Sequence, residues 1–516
     1  MLEDVPPRRV VPRWRSSWVT ATTPEAKSNR IGTSIDFEPT LRAAEGEFRV
    51  KSSVPLAAEL MYVASSANNA ELAKQAAQVI LENERQITST SLVNSAKRIV
   101  NAHTQEEVDA SSSDFIRGAR TLLIQDYNNP ILLIDVAHAM TANSRAASAE
   151  RFIRSALQLA PTNRFVLRSA VRYFLHVGKH DHAHLLLLKS PLLSRDPWIQ
   201  ASEIAVASVL GKTSKLVKSL DRSLQDTSVL ASNYSELGSA IATVHLNAGA
   251  EKKAKKLFTR SLANPNDNSV AQAEWASQRL SLVVTEHALG VPLSFEANSG
   301  HSYRALNISD AISQGVRWMA DEPFASRPAG WLGYLHSIDD DFQKAAEFHQ
   351  MVLKLEGENS VADLLNLNFS RIETGALKVA AEQLMVLSRA KDIAEHSTHL
   401  LANAGALSYA NGDFESGREL YQRAISYAKA KSETNTESLV RAFFARAAVK
   451  YGDPHRDAVV KEGLEFHALS ANPGATYVMQ RLVDQTKRKQ LEASAKQRIA
   501  KQKLAWNPAT NTLTIS

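Results

Sequence analysis

The chain has 516 residues, and 44% of them are hydrophobic, which is enough for a continuous core and excludes disorder of the whole chain. The formal net charge of +6 is mild for this length, and the absence of cysteine excludes disulfides, thiol nucleophiles and cysteine-ligated metals. Few aromatic residues and abundant Ala, Leu, Lys and Glu predict an all-α protein. No apolar targeting segment or membrane-length apolar run is evident, so we expect a cytoplasmic protein without a membrane partner.

Residues 1–50 lack helical periodicity and contain five prolines among arginines and tryptophans. This composition predicts an extended basic and aromatic N-terminal arm. Arginines interleaved with Trp14 and Trp18 suit contacts with phosphates and stacked bases. The alternative is that these tryptophans dock on the chain's own helices, which is the commoner arrangement.

Helical patterning begins near Val54, and residues 51–129 are predicted to form degenerate helical repeats. We expect four helices there, at 54–66, 70–83, 91–101 and 114–127. From Pro130 to Lys431 the pattern becomes regular, with small residues and prolines recurring at fixed positions.

The clearest unit is a pair of helices on either side of a turn at Asn411–Gly412–Asp413. Gly405 precedes this turn, and Gly417 and Ala424 follow it, at spacings of whole helical turns among larger apolar residues. Such spacing lets two antiparallel helices approach closely. A helical hairpin leaves one apolar face uncovered, so the pattern predicts a second hairpin packed on the first.

Alanines recur with a period of 34 residues: Ala183 follows Ala149, and Ala345 follows Ala311. Together with the Leu332–Gly333 pair, this pattern resembles the tetratricopeptide repeat (TPR) family. The resemblance implies a right-handed α-solenoid of TPR-like helical hairpins over 130–431. Two departures interrupt the period, namely an insertion near 282–302 and the C-terminal region 432–503.

The insertion contains Gly290, Pro292 and Gly300, and we expect it to project from the solenoid, with Leu293 and Phe295 docking on a partner or on the chain's own surface. Helices are predicted near 437–450 and 455–469, followed by a long basic helix over 476–503. The tail, 504–516, alternates like a strand, a turn and a second strand.

Candidate chemical motifs are few. Leu210–Thr213 lacks the first glycine of a phosphate loop and is interpreted as a turn, and Asp339–Asp341 fall where a helix cap is expected. His180 and His184 are spaced to share a metal, but no third ligand is evident. No hydrolase, metalloprotease, kinase or deaminase signature is present. We therefore predict a non-enzymatic protein without cofactor or metal.

The resemblance also implies a partner-binding concave face lined by the first helix of each hairpin. Arg168 and Arg172 lie one helical turn apart, so their guanidinium groups suit an acidic peptide or a phosphate, unless both are ordinary solvated arginines. The groove positions of the family fall here on His138, Arg168, Arg172, Asn247, Tyr334 and Tyr409.

These features predict a scaffold or adaptor that binds a protein partner through the concave face. The alternatives are a peptide-sensing regulator and a nucleic-acid-associated repeat protein that uses the arm and the basic C-terminal helix. The basic residues of that helix are Lys487, Arg488, Lys489, Lys496, Arg498, Lys501 and Lys503.

Overall fold

The computed structural model describes residues 38–66, 69–84, 87, 90–100, 128–223, 231–356, 360–390, 393–467, 472–484, 504–507 and 512–515. These residues form two compact units. The N-terminal unit comprises the described residues of Pro7–Ala297 and Ala320–Phe324, and the C-terminal unit comprises those of Asn298–Met319 and Ala325–Ser516.

Most of the described residues are helical. The first helices are α1 (Glu38–Val50), α2 (Val54–Ser66), α3 (Ala70–Glu82), α4 (Thr90–Val100), α5 (Pro130–Ala142), α6 (Ala146–Leu159), α7 (Arg164–His176) and α8 (His180–Leu188). A short 3-10 helix at Pro191–Ser194 precedes α9 (Pro197–Val209), α10 (Leu216–Ser223), α11 (Ala231–Asn247), α12 (Glu251–Ser261), α13 (Asp267–Leu280), α14 (Glu286–Leu289) and α15 (Phe295–Arg304).

The later helices are α16 (Ile308–Asp321), α17 (Ser326–Ile338), α18 (Phe342–Glu356), α19 (Val361–Glu373), α20 (Leu377–Leu387), α21 (Ser397–Ala410), α22 (Phe414–Ala430), α23 (Thr434–Tyr451) and α24 (Arg456–His467). A further helix, α25, covers 473–484. Strands β1 (Leu504–Asn507) and β2 (Thr512–Ile515) pair antiparallel, with Leu504 opposite Ile515, which confirms the two predicted strands. The turn predicted between them, at 508–511, lies outside the described residues.

Consecutive helices pack as hairpins, and neighbouring hairpins stack on one another within the described parts of 128–297 and of 326–467. The pairs α5–α6, α11–α12, α17–α18 and α21–α22 pack closely, and the first helices of neighbouring hairpins also touch, as in α9–α11 and α21–α23. Contact with nearest neighbours along the array is the defining property of a helical-repeat solenoid. The predicted all-α solenoid fold of TPR-like hairpins is confirmed.

Glycine allows the close approach of α21 and α22. A Cβ added at Gly405 would lie 2.8 Å from a ring carbon of Tyr421, and one at Gly417 would lie 2.7 Å from a ring carbon of Tyr409. Each helix therefore presents a glycine to the other helix's tyrosine. This arrangement confirms that small residues set the helix spacing in this hairpin.

The turns between paired helices are set by local chemistry. Between α21 and α22, Gly412 has a φ of 82°, a left-handed conformation that glycine adopts without a steric cost. Asp413 then caps α22, since its carboxylate accepts a hydrogen bond from the backbone N–H of Ser416 at 3.1 Å.

The prediction that the insertion near 282–302 projects from the solenoid is wrong. Leu282, Val284, Ala288 and Leu289 are buried in the same hydrophobic core as the residues of α11 and α13. The Ser294 hydroxyl donates to the carbonyl of Leu289 at 2.6 Å, which ties the turn together. Because its apolar side chains gain more by joining this core than by facing water, the segment packs on the chain's own surface.

The boundary of the N-terminal arm also differs from the sequence prediction. The arm was predicted to lack helices up to residue 50, but Glu38–Val50 forms α1, with Leu41 and Ala44 buried against α2 and α3. The rest of the predicted arm, 1–37, lies outside the described residues, as do the predicted helix at 114–127 and the basic residues of 487–503.

Candidate partner-binding surfaces

Arg168 lies on α7, and the resemblance to the TPR family implied that it lines an open groove. Its two terminal nitrogens donate to the two carboxylate oxygens of Glu236 on α11, at 2.8 and 3.1 Å. Both side chains are only 2% exposed, and the guanidinium also lies over the ring of Trp198, 5.0 Å from its centre. The assignment of Arg168 as a partner contact is therefore corrected, because its hydrogen bonds are made inside the N-terminal unit.

A polar network extends from this ion pair across four first helices. Glu236 also accepts hydrogen bonds from the side-chain amides of Asn266 at 2.9 Å and Asn268 at 3.1 Å. One helical turn before Arg168, Arg164 donates to buried Asp196 at 2.8 Å. The facing sides of α7, α9, α11 and α13 are thus joined by charged hydrogen bonds, which fix the relative positions of the helices.

Arg172 and His138 contact a segment from later in the chain. The guanidinium of Arg172 lies 5.0 Å from the centre of the Phe324 ring, and one of its nitrogens is 3.7 Å from Glu322. The rings of His138 and His176 meet the Phe324 ring edge-on, at 5.5 and 5.1 Å. Phe324 is 2% exposed and belongs to the core of the N-terminal unit. This face of α5 and α7 therefore binds a polypeptide segment, Glu322–Pro323–Phe324.

Electrostatics at this contact favour a neutral His176. Burial, and then the nearby charge of Arg172, lower the pKa of His176 to about 4. The Arg172 side chain is 12% exposed and approaches the carboxylate of Glu322. The contact thus combines one cation facing an acid with the imidazoles of His138 and His176 around an aromatic ring.

Tyr334, on α17, was predicted to line the groove and is instead buried against α25. Its hydroxyl lies 2.8 Å from that of Tyr303, which accepts a hydrogen bond from the backbone N–H of Gly474 at 2.9 Å. Farther along α25, Tyr477 donates to the carboxylate of Asp339 at 2.8 Å. Within the C-terminal unit, Tyr334 therefore contacts a helix of the same chain.

Tyr409 is also internal, with 0% exposure. Its hydroxyl donates to the carboxylate of Asp453 at 2.6 Å, and Arg418 donates to the same carboxylate at 2.8 Å. Burial and the bond to Asp453 raise the pKa of Tyr409 above its usual value. The assignments of Tyr334 and Tyr409 as partner contacts are corrected, because both side chains are buried. Asn247, at the end of α11, is exposed, and its role in partner binding stays a prediction.

The other candidate motifs have structural partners. Gly211 has a φ of 67° in the turn after α9, so Leu210–Thr213 is a turn. His184 lies 3.0 Å from Glu203, and His182 packs against the ring of Phe174. Within the described ranges, no group of three or more His, Cys, Asp or Glu residues is close enough to hold a metal ion. The absence of a metal site remains a prediction for the whole chain.

Of the three aspartates that were predicted to cap a helix, one caps a helix and two form ion pairs. Asp341 accepts a hydrogen bond from the backbone N–H of Lys344 at 3.2 Å and so caps α18. Asp340 pairs with Arg446 at 2.6 Å, and Asp339 pairs with Arg481 at 2.6 Å. The carboxylates therefore stabilise the C-terminal unit by ion pairs that their sequence position did not indicate.

The lysines of α12 form a charged surface that was not among the sequence predictions. On α12, exposed lysines occupy the side opposite buried Ala254 and Phe258. The run EKKAKK, read at helical spacing, contains this signal. The lysines concerned are Lys252, Lys253, Lys255 and Lys256.

The stacked helical hairpins give this chain a TPR-like helical-repeat fold. No protein-family profile and no curated protein matches it. Solved structures do match, among them a chain from the crystal structure of the APC/C hetero-tetramer Cut9–Hcn1. That chain is 13% identical, and the match covers 86% of this chain and 93% of that chain, with a TM-score of 0.36. In the described part of the chain, no helix is both long and apolar enough to cross a membrane.

Proposed function

We propose that this protein is a non-catalytic scaffold or adaptor that binds a protein partner through the face formed by its first helices. The observation that carries the proposal is the seating of Glu322–Pro323–Phe324 against α5 and α7. An acid beside an arginine and an aromatic ring enclosed by imidazoles is a chemistry suited to a short acidic and aromatic peptide. The absence of cysteine supports a reducing compartment, and we place this function in the cytoplasm.

The partner segment would carry an acidic residue followed closely by an aromatic one, as Glu322 and Phe324 do. A cation–π contact contributes about 0.5–2 kcal/mol, depending on how far it is removed from water. Burial of a whole phenylalanine side chain adds about 1.5–3 kcal/mol. Most of the affinity should therefore come from the aromatic residue, with the acid adding specificity through Arg172.

A peptide with the sequence of 318–327, WMADEPFASR, tests this proposal directly. The fluorescently labelled peptide should show saturable binding to the full-length Phe324→Ala variant, because the substitution empties the position that the phenylalanine of the peptide would fill. It should bind the wild type more weakly, since the chain's own segment competes. Adding Arg172→Glu to Phe324→Ala should abolish binding.

The matched control peptide replaces its phenylalanine with alanine and should not bind. Circular dichroism should show that the variants keep the helical content of the wild type. If the labelled peptide binds none of these proteins, or binds the Arg172→Glu double variant equally well, peptide binding by this face is disproved.

A further inference from the structure

The outer face of α12 is a continuous cationic surface. One side of the helix is buried, through Ala254, Leu257 and Phe258, in the core of the N-terminal unit. At 3.6 residues per turn, the lysines fall on the opposite side, where they are exposed. Lys252 and Lys256 are separated by one helical turn, so two like charges face the solvent side by side.

This surface differs from the exposed faces of other second helices. On α6, Arg154 pairs with Glu150 four positions earlier, and on α22 Arg423 is similarly close to Glu419. Such mixed pairs neutralise each other and are typical of a solvated helix face. On α12 the single acidic residue, Glu251, lies 3.5 Å from Arg279 of α13.

Across the described residues, Lys252, Lys255 and Lys256 form no ion pair. Like charges four positions apart destabilise a helix, so the arrangement has a cost that an anionic partner would remove. The buried side of α12 keeps the helix in place despite this repulsion. The lysine face is therefore held rigidly and is available to an anion.

We propose that the lysine face of α12 binds the phosphate backbone of a nucleic acid without sequence preference. The face consists of ammonium groups, which act as point charges toward phosphate, and its one aromatic neighbour on the helix, Phe258, is buried. The nearby guanidinium of Arg260 lies over the ring of Tyr234, at 4.0 Å. The face therefore lacks the exposed aromatic residues that stack bases.

The same features argue against other anionic partners. A protein partner would be expected to use apolar or aromatic anchors, and the lysine face exposes none. Helices that lie in a membrane surface combine basic residues with a free apolar side, but the apolar side of α12 is packed in the core, so only electrostatic attraction to lipid headgroups would remain. This inference is independent of the proposed scaffold function, which uses α5 and α7.

The test measures fluorescence anisotropy of a labelled 20-base single-stranded RNA and a 20-base-pair DNA with the full-length protein, between 50 and 200 mM KCl. If Lys252, Lys255 and Lys256 each neutralise one phosphate, the logarithm of the affinity should fall with log salt with a slope of about 2.7 for the duplex. The triple variant Lys252→Glu/Lys255→Glu/Lys256→Glu should bind at least tenfold more weakly.

The matched control is the triple variant Lys378→Glu/Lys429→Glu/Lys461→Glu, which changes the net charge by the same amount. All three of its lysines are exposed on helices of the C-terminal unit. It should keep most of the affinity. A second control, Lys487→Glu/Arg488→Glu/Lys489→Glu, separates any contribution of the basic C-terminal segment, and the α12 variant should weaken binding further in its background.

Equal affinity of the α12 variant and the wild type would overturn the proposal. Equal losses in the α12 and Lys378 variants would also overturn it, because the effect would then come from net charge alone. A labelled decaglutamate peptide is the last probe. If it binds through α12 while neither nucleic acid does, the partner of this face is an acidic protein and the proposal is wrong.

Discussion

Arg168 and Glu236 form a two-point ion pair between α7 and α11, with both side chains removed from water. Removing one member of such a pair leaves an uncompensated buried charge, which is more costly than the loss of an exposed pair. Glu236 would keep its bonds to Asn266 and Asn268, but amides do not neutralise a carboxylate.

Arg168→Met should lower the free energy of unfolding of the N-terminal unit by about 3–5 kcal/mol. The control is Arg154→Met, which breaks an exposed pair with Glu150 and should cost less than about 1 kcal/mol. Urea denaturation followed by circular dichroism measures both variants. Similar midpoints for the two would contradict the role assigned to the buried pair.

Gly417→Ala should destabilise the C-terminal unit although alanine is the better helix former. The new methyl group would lie 2.7 Å from a ring carbon of Tyr409, and such overpacking costs about 1–3 kcal/mol. The matched control, Gly330→Ala on α17, meets only Val352, at 3.6 Å, which is ordinary contact. It should stabilise the protein by up to about 1 kcal/mol through helix propensity. Opposite shifts in the melting temperature are therefore expected, and shifts of the same sign would count against the close packing of α21 and α22.

His349 should make stability depend on pH. Its ring is buried against Gly333, and burial lowers the pKa of His349 to about 3. Between the ordinary histidine pKa of about 6.5 and pH 3, the unfolded chain binds a proton that the folded chain does not bind. The folded state therefore loses stability as the pH falls through this window, by about 1.4 kcal/mol per pH unit.

His349→Gln removes the titrating ring, so the stability difference between wild type and variant should change by about 2 kcal/mol between pH 7.5 and pH 5. Denaturant midpoints at several pH values provide the measurement. Comparison with the wild type cancels the titration of carboxylates common to both proteins. His455→Gln, at an exposed position, controls for the histidine-to-glutamine change itself and should leave the free energy of unfolding at pH 7.5 within about 0.5 kcal/mol of the wild type. Parallel curves for wild type and His349→Gln would exclude the predicted effect.

Gly474→Ala should loosen α25 from the C-terminal unit. A Cβ at this position would lie 2.0 Å from the hydroxyl of Tyr334, too close for either group to remain in place. Hydrogen exchange within 473–484 should accelerate, while exchange in α21 and α22 remains slow. Tyr303→Phe is the milder comparison, because it removes the acceptor of the Gly474 N–H and should cost about 1 kcal/mol. Unchanged protection of 473–484 in the alanine variant would show that α25 is not held by this contact.

The sequence alone determined the repeat and much of the local structure. A helix repeats its surface every 3.6 residues, so Gly405, Gly417 and Ala424 identified a close helical contact from spacing alone. The turn at Gly412 and the cap at Asp413 were equally readable, because they depend on a few neighbouring residues. The lysines of α12 were also visible at helical spacing, although their lack of acidic partners was not.

Only the tertiary structure decided which faces of the helices remain open. The resemblance to the TPR family implied that Arg168, Tyr334 and Tyr409 line an open groove. It gave no sign that Glu236, Gly474 and Asp453, all far along the chain, contact these three side chains. Burial depends on which distant segments pack together, and that choice reflects apolar area and charge pairing summed over the folded chain. In a helical repeat, local spacing along the sequence determines how neighbouring hairpins pack on each other. The segments that cover the remaining helix faces come from distant parts of the chain, so no local sequence pattern predicts them.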